Sequence, residues 1–131
     1  MVDNLLEALK KTYAEFNFHA GKRFLFRFPK TIYFDPNDPE FDSLILHELG
    51  HAILGHSGYK TDIERLKMER AAWDEAEKIA SSMKVKINKT LVEDDLDSYR
   101  NWLHQKSKCK KCGLTRYQTP DGRYHCPNCE R

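Results

Sequence analysis

The stretch His47-Glu48-Leu49-Gly50-His51 lies within an otherwise apolar segment of the chain. On an α-helix, residues four apart share a face, so His47 and His51 can direct both imidazoles at one metal ion. Glu48 is one position round the helix from His47, where it can reach a water molecule at the metal without being a ligand. Burying these polar groups in such a helix is unfavourable unless something satisfies them. The stretch therefore predicts a Zn²⁺ site with a general base beside it.

The residues around this stretch predict a helix over 39–54. Asp38 is a typical N-cap residue, and proline, here Pro39, is favoured in the first helical turn. Gly55 and Gly58 favour an end soon after residue 54, because glycine readily adopts the left-handed conformation at a helix C-terminus. The two histidines then lie in the interior of the helix, which is the context that such a metal site needs.

The other periodicities predict a mixed α+β fold. Alternation of Phe24, Phe26 and Phe28 indicates a strand over 22–28, and a second strand over 31–34 would complete a β-hairpin. Residues 17–21 interrupt the pattern and predict no regular element. Apolar residues at helical spacing predict three further helices, over 2–16, 62–83 and 91–105.

A catalytic zinc site typically has three protein ligands and one open position, so a third ligand must come from elsewhere. The metzincin pattern HExxHxxGxxH does not fit, because Gly55 and His56 are out of register with it. His56 is five residues after His51 and is expected to point away from the ligand face.

An acidic residue on the next helix is the alternative third ligand. Glu69 is preferred because Ala72 and Ala76, four residues apart, would let this helix approach the first one closely. Trp73 would add packing beside them. The other acidic candidates on this helix are Glu64, Asp74, Glu75 and Glu77.

The segments HELGHAxxxH and, from Glu69, E-x-x-A-W-x-x-A resemble the ImmA/IrrE family of metallopeptidases, most of all its short phage-type members. The resemblance covers roughly residues 24–80. It implies a zincin-like fold, zinc ligands at His47, His51 and Glu69, and Glu48 as the general base of peptide-bond hydrolysis. It also implies a repressor-like protein substrate. The family often has a second Glu two places after the first, where this chain has Ala71.

The C-terminal cysteines form a second metal motif. Cys109, Cys112, Cys126 and Cys129 make two CxxC pairs, and each pair can present two thiolates to one structural Zn²⁺. Pro120-Asp121-Gly122 predicts a turn between strands over 114–119 and 123–125, and Gly113 suits a positive φ after the first pair. His125 is expected at the surface. The sequence thus predicts a zincin-like metallopeptidase domain over 1–105 and a four-cysteine zinc ribbon over 106–131, with two Zn²⁺ per chain.

Charge and composition limit the partners. Lys and Arg number 22 and Asp and Glu 20, so the net charge of +2 does not itself indicate nucleic-acid binding. Basic and aromatic residues of the ribbon would nevertheless suit DNA or a protein partner. No segment approaches the roughly 20 apolar residues of a membrane span, and residues 1–11 lack a signal-peptide pattern. A cytoplasmic protein without a membrane partner is therefore expected, and clustered cysteines in a reducing compartment favour metal binding.

Three interpretations of function remain open from the residues. The first is a zinc protease acting on a repressor or other regulatory protein. The second is a protease of the SprT type, which joins HExxH to a C-terminal ribbon, acts on DNA-bound proteins and normally uses a third histidine. The third is a non-catalytic module in which both zinc sites are structural. For a protease, the strand in 30–35 could pair with an extended substrate. The oxyanion donor could be Tyr59, Tyr99, His56 or His104.

Overall fold

Four helices and two small sheets form the computed structural model, which describes residues 2–130. The helices are α1 (Val2–Thr12), α2 (Phe41–Leu54), α3 (Asp62–Met83) and α4 (Lys89–Ser107). The strands are β1 (Asn17–Ala20), β2 (Leu25–Arg27), β3 (Thr31–Phe34), β4 (Tyr117–Gln118) and β5 (Tyr124–His125). The predicted α+β class is confirmed. Within residues 2–130, no helix has the length and apolar character needed to cross a bilayer.

The first sheet has β3 in its centre. β2 pairs with β3 in antiparallel fashion, which confirms the predicted hairpin, and β1 pairs with β3 in parallel. The prediction of no regular element over 17–21 was wrong, because β1 pairs with β3, which is separated from it in the chain by β2. Since both edges of β3 are occupied, the expected pairing of the strand in 30–35 with a substrate is also wrong. The two edge strands of this sheet are β1 and β2.

Helix α2 is the central element, and it contacts β2, β3, α1 and α3. Ile45, Leu46 and Leu49 of α2 are fully buried, and Ile32 and Phe34 of β3 belong to the same core. The alternation of buried and half-buried residues along β3 shows why this strand forms: one face covers α2 and the other is partly open.

Several helix ends differ from the predictions. α1 ends at Thr12 and not at residue 16, because the chain turns to place β1 beside β3. α2 begins at Phe41, since Asp38 accepts a hydrogen bond from the Glu40 backbone N–H (2.7 Å) and so forms a turn ahead of the helix. α4 begins at Lys89 because Asn88 caps its N-terminus with its side-chain oxygen.

The C-terminal hairpin of β4 and β5 contacts the start of α3. Asp62, the first residue of α3, is only 3% exposed. Its carboxylate accepts a hydrogen bond from the Tyr124 hydroxyl and lies 3.2 Å from Lys106 Nζ. Its backbone N–H donates to Gln118 Oε1 (2.6 Å). The hairpin therefore completes the polar contacts of the first turn of α3. α4 runs two residues past the predicted boundary at residue 105, and the division into 1–105 and 106–131 stays a prediction.

Candidate metal centre

Helices α2 and α3 bring His47, His51 and Glu69 together. Glu69 Oε1 lies 3.0 Å from His47 Nε2, and Glu69 Oε2 lies 2.9 Å from His51 Nε2. One ligand atom from each residue lies within 4.8 Å of the others. His47 and Glu69 are buried, with 6% and 8% of their surface exposed. The three groups preferred from the sequence as ligands thus converge on one point.

The close packing of α2 on α3 depends on a glycine that the sequence reasoning did not single out. A Cβ atom at Gly50 would lie only 2.3 Å from the backbone oxygen of Ala72. Ala72 and Ala76 are both fully buried, as their proposed role in close approach requires. Because Gly50 lies between His47 and His51, this contact sets the distance from the two imidazoles to Glu69. The spacing of the two histidines does not indicate this role of Gly50, which becomes visible only from the backbone of Ala72 that faces it.

The donor set fits a divalent metal ion. His47 Nε2 and Glu69 Oε1 are buried and close, yet their geometry forms no hydrogen bond between them, and neither has another partner within residues 2–130. A buried polar atom without a partner costs roughly 1–3 kcal/mol. Tetrahedral Zn²⁺ with bonds of about 2.0–2.2 Å separates its ligand atoms by about 3.3–3.6 Å, which is compatible with three ligand atoms that lie within 4.8 Å of one another. A metal ion would therefore satisfy both atoms.

The charges of this cluster are strongly coupled. Burial lowers the pKa of His47, but the carboxylates of Glu48 and Glu69 outweigh burial and raise it to about 9. Burial raises the pKa of Glu69, but the two imidazoles reverse this and hold it well below its usual range.

Glu48 lies beside the cluster and is not one of its converging groups. Its Oε2 is 3.4 Å from His47 Nδ1, whereas Glu69 faces the other ring nitrogen, Nε2. The side chain is 14% exposed and lines the cleft. Glu48 is thus accessible to a molecule in the cleft.

Trp73 packs on His47 and is itself hydrogen-bonded to Asp95. The Trp73 ring stacks on the His47 imidazole with centroids 4.1 Å apart and planes 1° from parallel. Trp73 Nε1 donates to Asp95 Oδ2 at 2.8 Å, and burial raises the pKa of Asp95. Trp73 was expected to add packing, whereas Asp95 was not identified. Its only signal in the sequence is its position four residues before Tyr99, which lines the same cleft.

His56 is not one of the converging groups, in agreement with its predicted position off the ligand face, but it contacts His51. Gly55 adopts a left-handed conformation (φ 68°) and ends α2, so the helical register no longer applies to the next residue. His56 Nδ1 lies 2.8 Å from His51 Nδ1, on the ring nitrogen of His51 that does not face Glu69. Such a contact fixes the orientation of a histidine ligand.

An open cleft of about 520 Å³ leads to the cluster. β2, the loop after α2 and helices α3 and α4 contribute to its walls. Of the predicted oxyanion donors, Tyr59, Tyr99 and His56 line the cleft. His104 is exposed on α4 and is not among the lining residues.

The four cysteines form a second cluster. All four Sγ atoms lie within 4.8 Å of one another, with Cys109 and Cys129 3.9 Å apart and Cys112 and Cys126 3.6 Å apart. Zn–S bonds of about 2.3 Å in a tetrahedron separate sulfur atoms by about 3.8 Å, so the spacing suits zinc. Backbone amides lower the pKa of Cys109 to about 6, whereas hydrogen bonds with the neighbouring thiols raise the pKa of Cys129 to about 12, so without metal the cluster shares its protons unevenly.

The turns around these cysteines agree with a ribbon. Gly113 has the predicted positive φ (81°). The paired strands are shorter than predicted, since β4 and β5 have two residues each. His125 is half-buried: its Nδ1 contacts Glu130 Oε2 at 2.7 Å and its ring stacks on Tyr117. It is not among the groups that converge in the four-cysteine cluster.

The chain thus carries a His₂Glu cluster at the base of an open cleft and a Cys₄ cluster at one end, each of which could hold a metal ion. No protein-family model, curated protein or solved structure matches this chain.

Proposed function

We propose that this chain is a zinc-dependent peptidase that hydrolyses peptide bonds in a protein substrate. The observation that carries the proposal is the arrangement of the cleft: His47, His51 and Glu69 converge with unsatisfied buried atoms, while Glu48 stands beside them, open to the cleft. A purely structural metal site has no need of an open cleft or of an acidic side chain that lines it without being one of the converging groups.

The side chains have separable tasks in this chemistry. His47, His51 and Glu69 would hold one Zn²⁺, which supplies Lewis-acid polarisation of a peptide carbonyl and lowers the pKa of an attacking water toward about 7. Glu48 would accept the proton of the water and pass it to the leaving amine. Trp73 and His56 keep the two imidazoles oriented through their stacking and ring-nitrogen contacts.

The remaining cleft residues suit an extended peptide. β2 is an edge strand and its residues line the cleft, so its free backbone groups can pair with a substrate strand. Burial raises the pKa of Tyr99, so that its hydroxyl stays protonated and can donate to a developing oxyanion. A regulatory protein such as a repressor is the substrate class implied by the resemblance to ImmA/IrrE peptidases.

The two alternatives are less well supported. A protease of the SprT type would need a third histidine, but Glu69 occupies the third position and His104 lies outside the cleft. A role of the ribbon in DNA or protein contact does not exclude peptidase activity elsewhere in the chain. Leu114 and Tyr117, which are about half exposed, would be available for such a contact.

Zinc content and one isosteric substitution test the proposal together. We expect about two Zn²⁺ per chain by elemental analysis, and cleavage of fluorescently labelled, denatured casein. Glu48→Gln should keep both zinc ions and lose cleavage, whereas Glu7→Gln, at an exposed position on α1, should retain it. Cleavage that survives Glu48→Gln at full rate would rule out this mechanism.

A further inference from the structure

Arg65 is a cation at the cleft that the chemistry above does not use. It precedes Glu69 by four residues on α3, so both side chains emerge from the same face, and Arg65 lines the cleft. The guanidinium is therefore on the same side of α3 as the metal centre, one helical turn away.

Three aromatic rings surround the guanidinium. Its Cζ lies 4.9 Å from the ring centre of Trp102, 5.1 Å from that of Tyr99 and 5.5 Å from that of Tyr59. Two of the rings come from α4 and one from the loop after α2. Such contacts stabilise a cation and restrict its motion, so a ligand that binds it meets a group whose position is already fixed.

The charge of Arg65 is not neutralised within the described structure. Among the side chains of residues 4–130, no carboxylate oxygen lies within 4 Å of its nitrogens. Nη1 donates to the Tyr59 hydroxyl at 3.3 Å and the Tyr99 hydroxyl also interacts with the guanidinium, which leaves other donors among its five N–H groups available. The planar guanidinium can therefore still form the paired hydrogen bonds that it makes with a carboxylate.

We propose that Arg65 forms a carboxylate-binding subsite of the cleft, which selects substrates with an acidic side chain or a free C-terminus near the scissile bond. The inference rests on the proposed peptidase function. A carboxylate is favoured because its two oxygens and single charge match one guanidinium, whereas Glu48 and Asp95 in the same cleft would repel a more highly charged anion more strongly. If Arg65 served only to pack α3 against α4 through Tyr99 and Trp102, the cleft would show no preference for ligands that carry a carboxylate.

Binding of small metal-directed probes tests the subsite without requiring cleavage. The probes are the monohydroxamates of succinic, glutaric and adipic acid, each compared by calorimetry with its carboxamide counterpart on the zinc-loaded chain. We expect at least one chain length at which the carboxylate binds 10-fold or more tightly than the carboxamide. This advantage should vanish in Arg65→Gln, shrink in Arg65→Lys, and persist in Arg70→Gln, an exposed position of the same helix. Zinc content and melting temperature, measured for each variant, show that it is folded and loaded.

The outcomes separate the two proposals. No carboxylate advantage at any chain length, or one that is unchanged in Arg65→Gln, overturns the subsite even if casein is cleaved. A carboxylate advantage that depends on Arg65 supports the subsite even if Glu48→Gln shows that peptide cleavage has another origin. Cleavage of random peptide mixtures with free or amidated C-termini then identifies the source. Selection of Asp and Glu in the amidated mixture indicates a side chain, and selection only in the free mixture indicates the terminal carboxylate.

Discussion

Replacing Gly50 with alanine tests whether the approach of α2 to α3 sets the metal centre. The new Cβ would lie 2.3 Å from the oxygen and 3.1 Å from the carbonyl carbon of Ala72. Both are backbone atoms, so no side-chain rotation relieves the overlap. The two helices must separate by at least about 0.7 Å before the contact reaches even the shortest distance found for real Cβ atoms.

Two effects on stability oppose each other, and the metal affinity decides the test. Alanine improves helix propensity by about 1 kcal/mol over glycine, whereas overpacking of a close interface costs about 1–3 kcal/mol. The net change in unfolding free energy should therefore be a loss of about 0–2 kcal/mol. Metal–ligand distances tolerate only about 0.2 Å, and His47 and His51 flank Gly50 while Glu69 lies on the displaced helix. We expect the zinc affinity of this centre to fall by at least about 10- to 100-fold.

Competition with a chromophoric chelator measures this affinity, and thermal unfolding of the zinc-free protein measures the cost to the fold. Gly21→Ala is the matched control, because its Cβ would meet no atom closer than 4.0 Å. The ribbon site should be unaffected in both variants. If Gly50→Ala binds zinc at both centres as tightly as the unsubstituted protein, the contact with Ala72 does not set the ligand spacing, and the reasoning is refuted.

Substitutions at the two metal centres, and the pH, should change metal content and stability in four further ways. Glu69→Gln should lower the zinc content by about one per chain, measured by elemental analysis, because an amide is a poor replacement for the carboxylate. Cys126→Ser should remove the other zinc and make the C-terminal hairpin sensitive to limited proteolysis. Trp73→Phe deletes the donor to Asp95 and should lower the unfolding free energy in urea by about 1–3 kcal/mol. In the zinc-free protein, folding raises the pKa of His47 from 6.5 to about 9. His47 therefore adds to the free energy of unfolding in full below about pH 6.5, and this addition is lost as the pH rises through about 9. Folding lowers the pKa of Glu69, so Glu69 adds to the free energy of unfolding above about pH 4.5 and this addition is lost at lower pH. The free energy of unfolding, measured in urea across this range, should therefore fall below about pH 4.5 and above about pH 6.5, by at most about 1.4 kcal/mol per pH unit and proton.

The parts of this structure that local spacing controls could be predicted from the sequence. The i, i+4 relation of His47 and His51 follows from helix geometry alone. Ala72 and Ala76 favoured Glu69 as the third group, because small residues mark the face on which another helix packs. The mixed fold, the hairpin of β2 and β3 and the whole of α3 followed from periodicity in the same way.

The parts that depend on distant backbone could not. β1 has four residues and gains its order from a parallel partner, so its own sequence carries little signal. His56 returns to His51 only because Gly55 adopts a left-handed conformation, which shifts the side chain off the helical register. Asp95 and Arg65 join the cleft through the packing of α3 and α4, and no pattern within either helix states which face will be covered.

The contact of the C-terminal hairpin with Asp62 bears on how the chain would present a bound partner to its cleft. Asp62, Arg65 and Glu69 follow one another along the first two turns of α3. The residue that the C-terminal hairpin contacts and the cleft residues are therefore on the same helix. A macromolecule held by the ribbon would be kept at a set distance and orientation from the metal centre, without a flexible tether between them. Only those segments of such a molecule that span this fixed gap could enter the cleft, so geometry would select the cleavage site alongside side-chain chemistry.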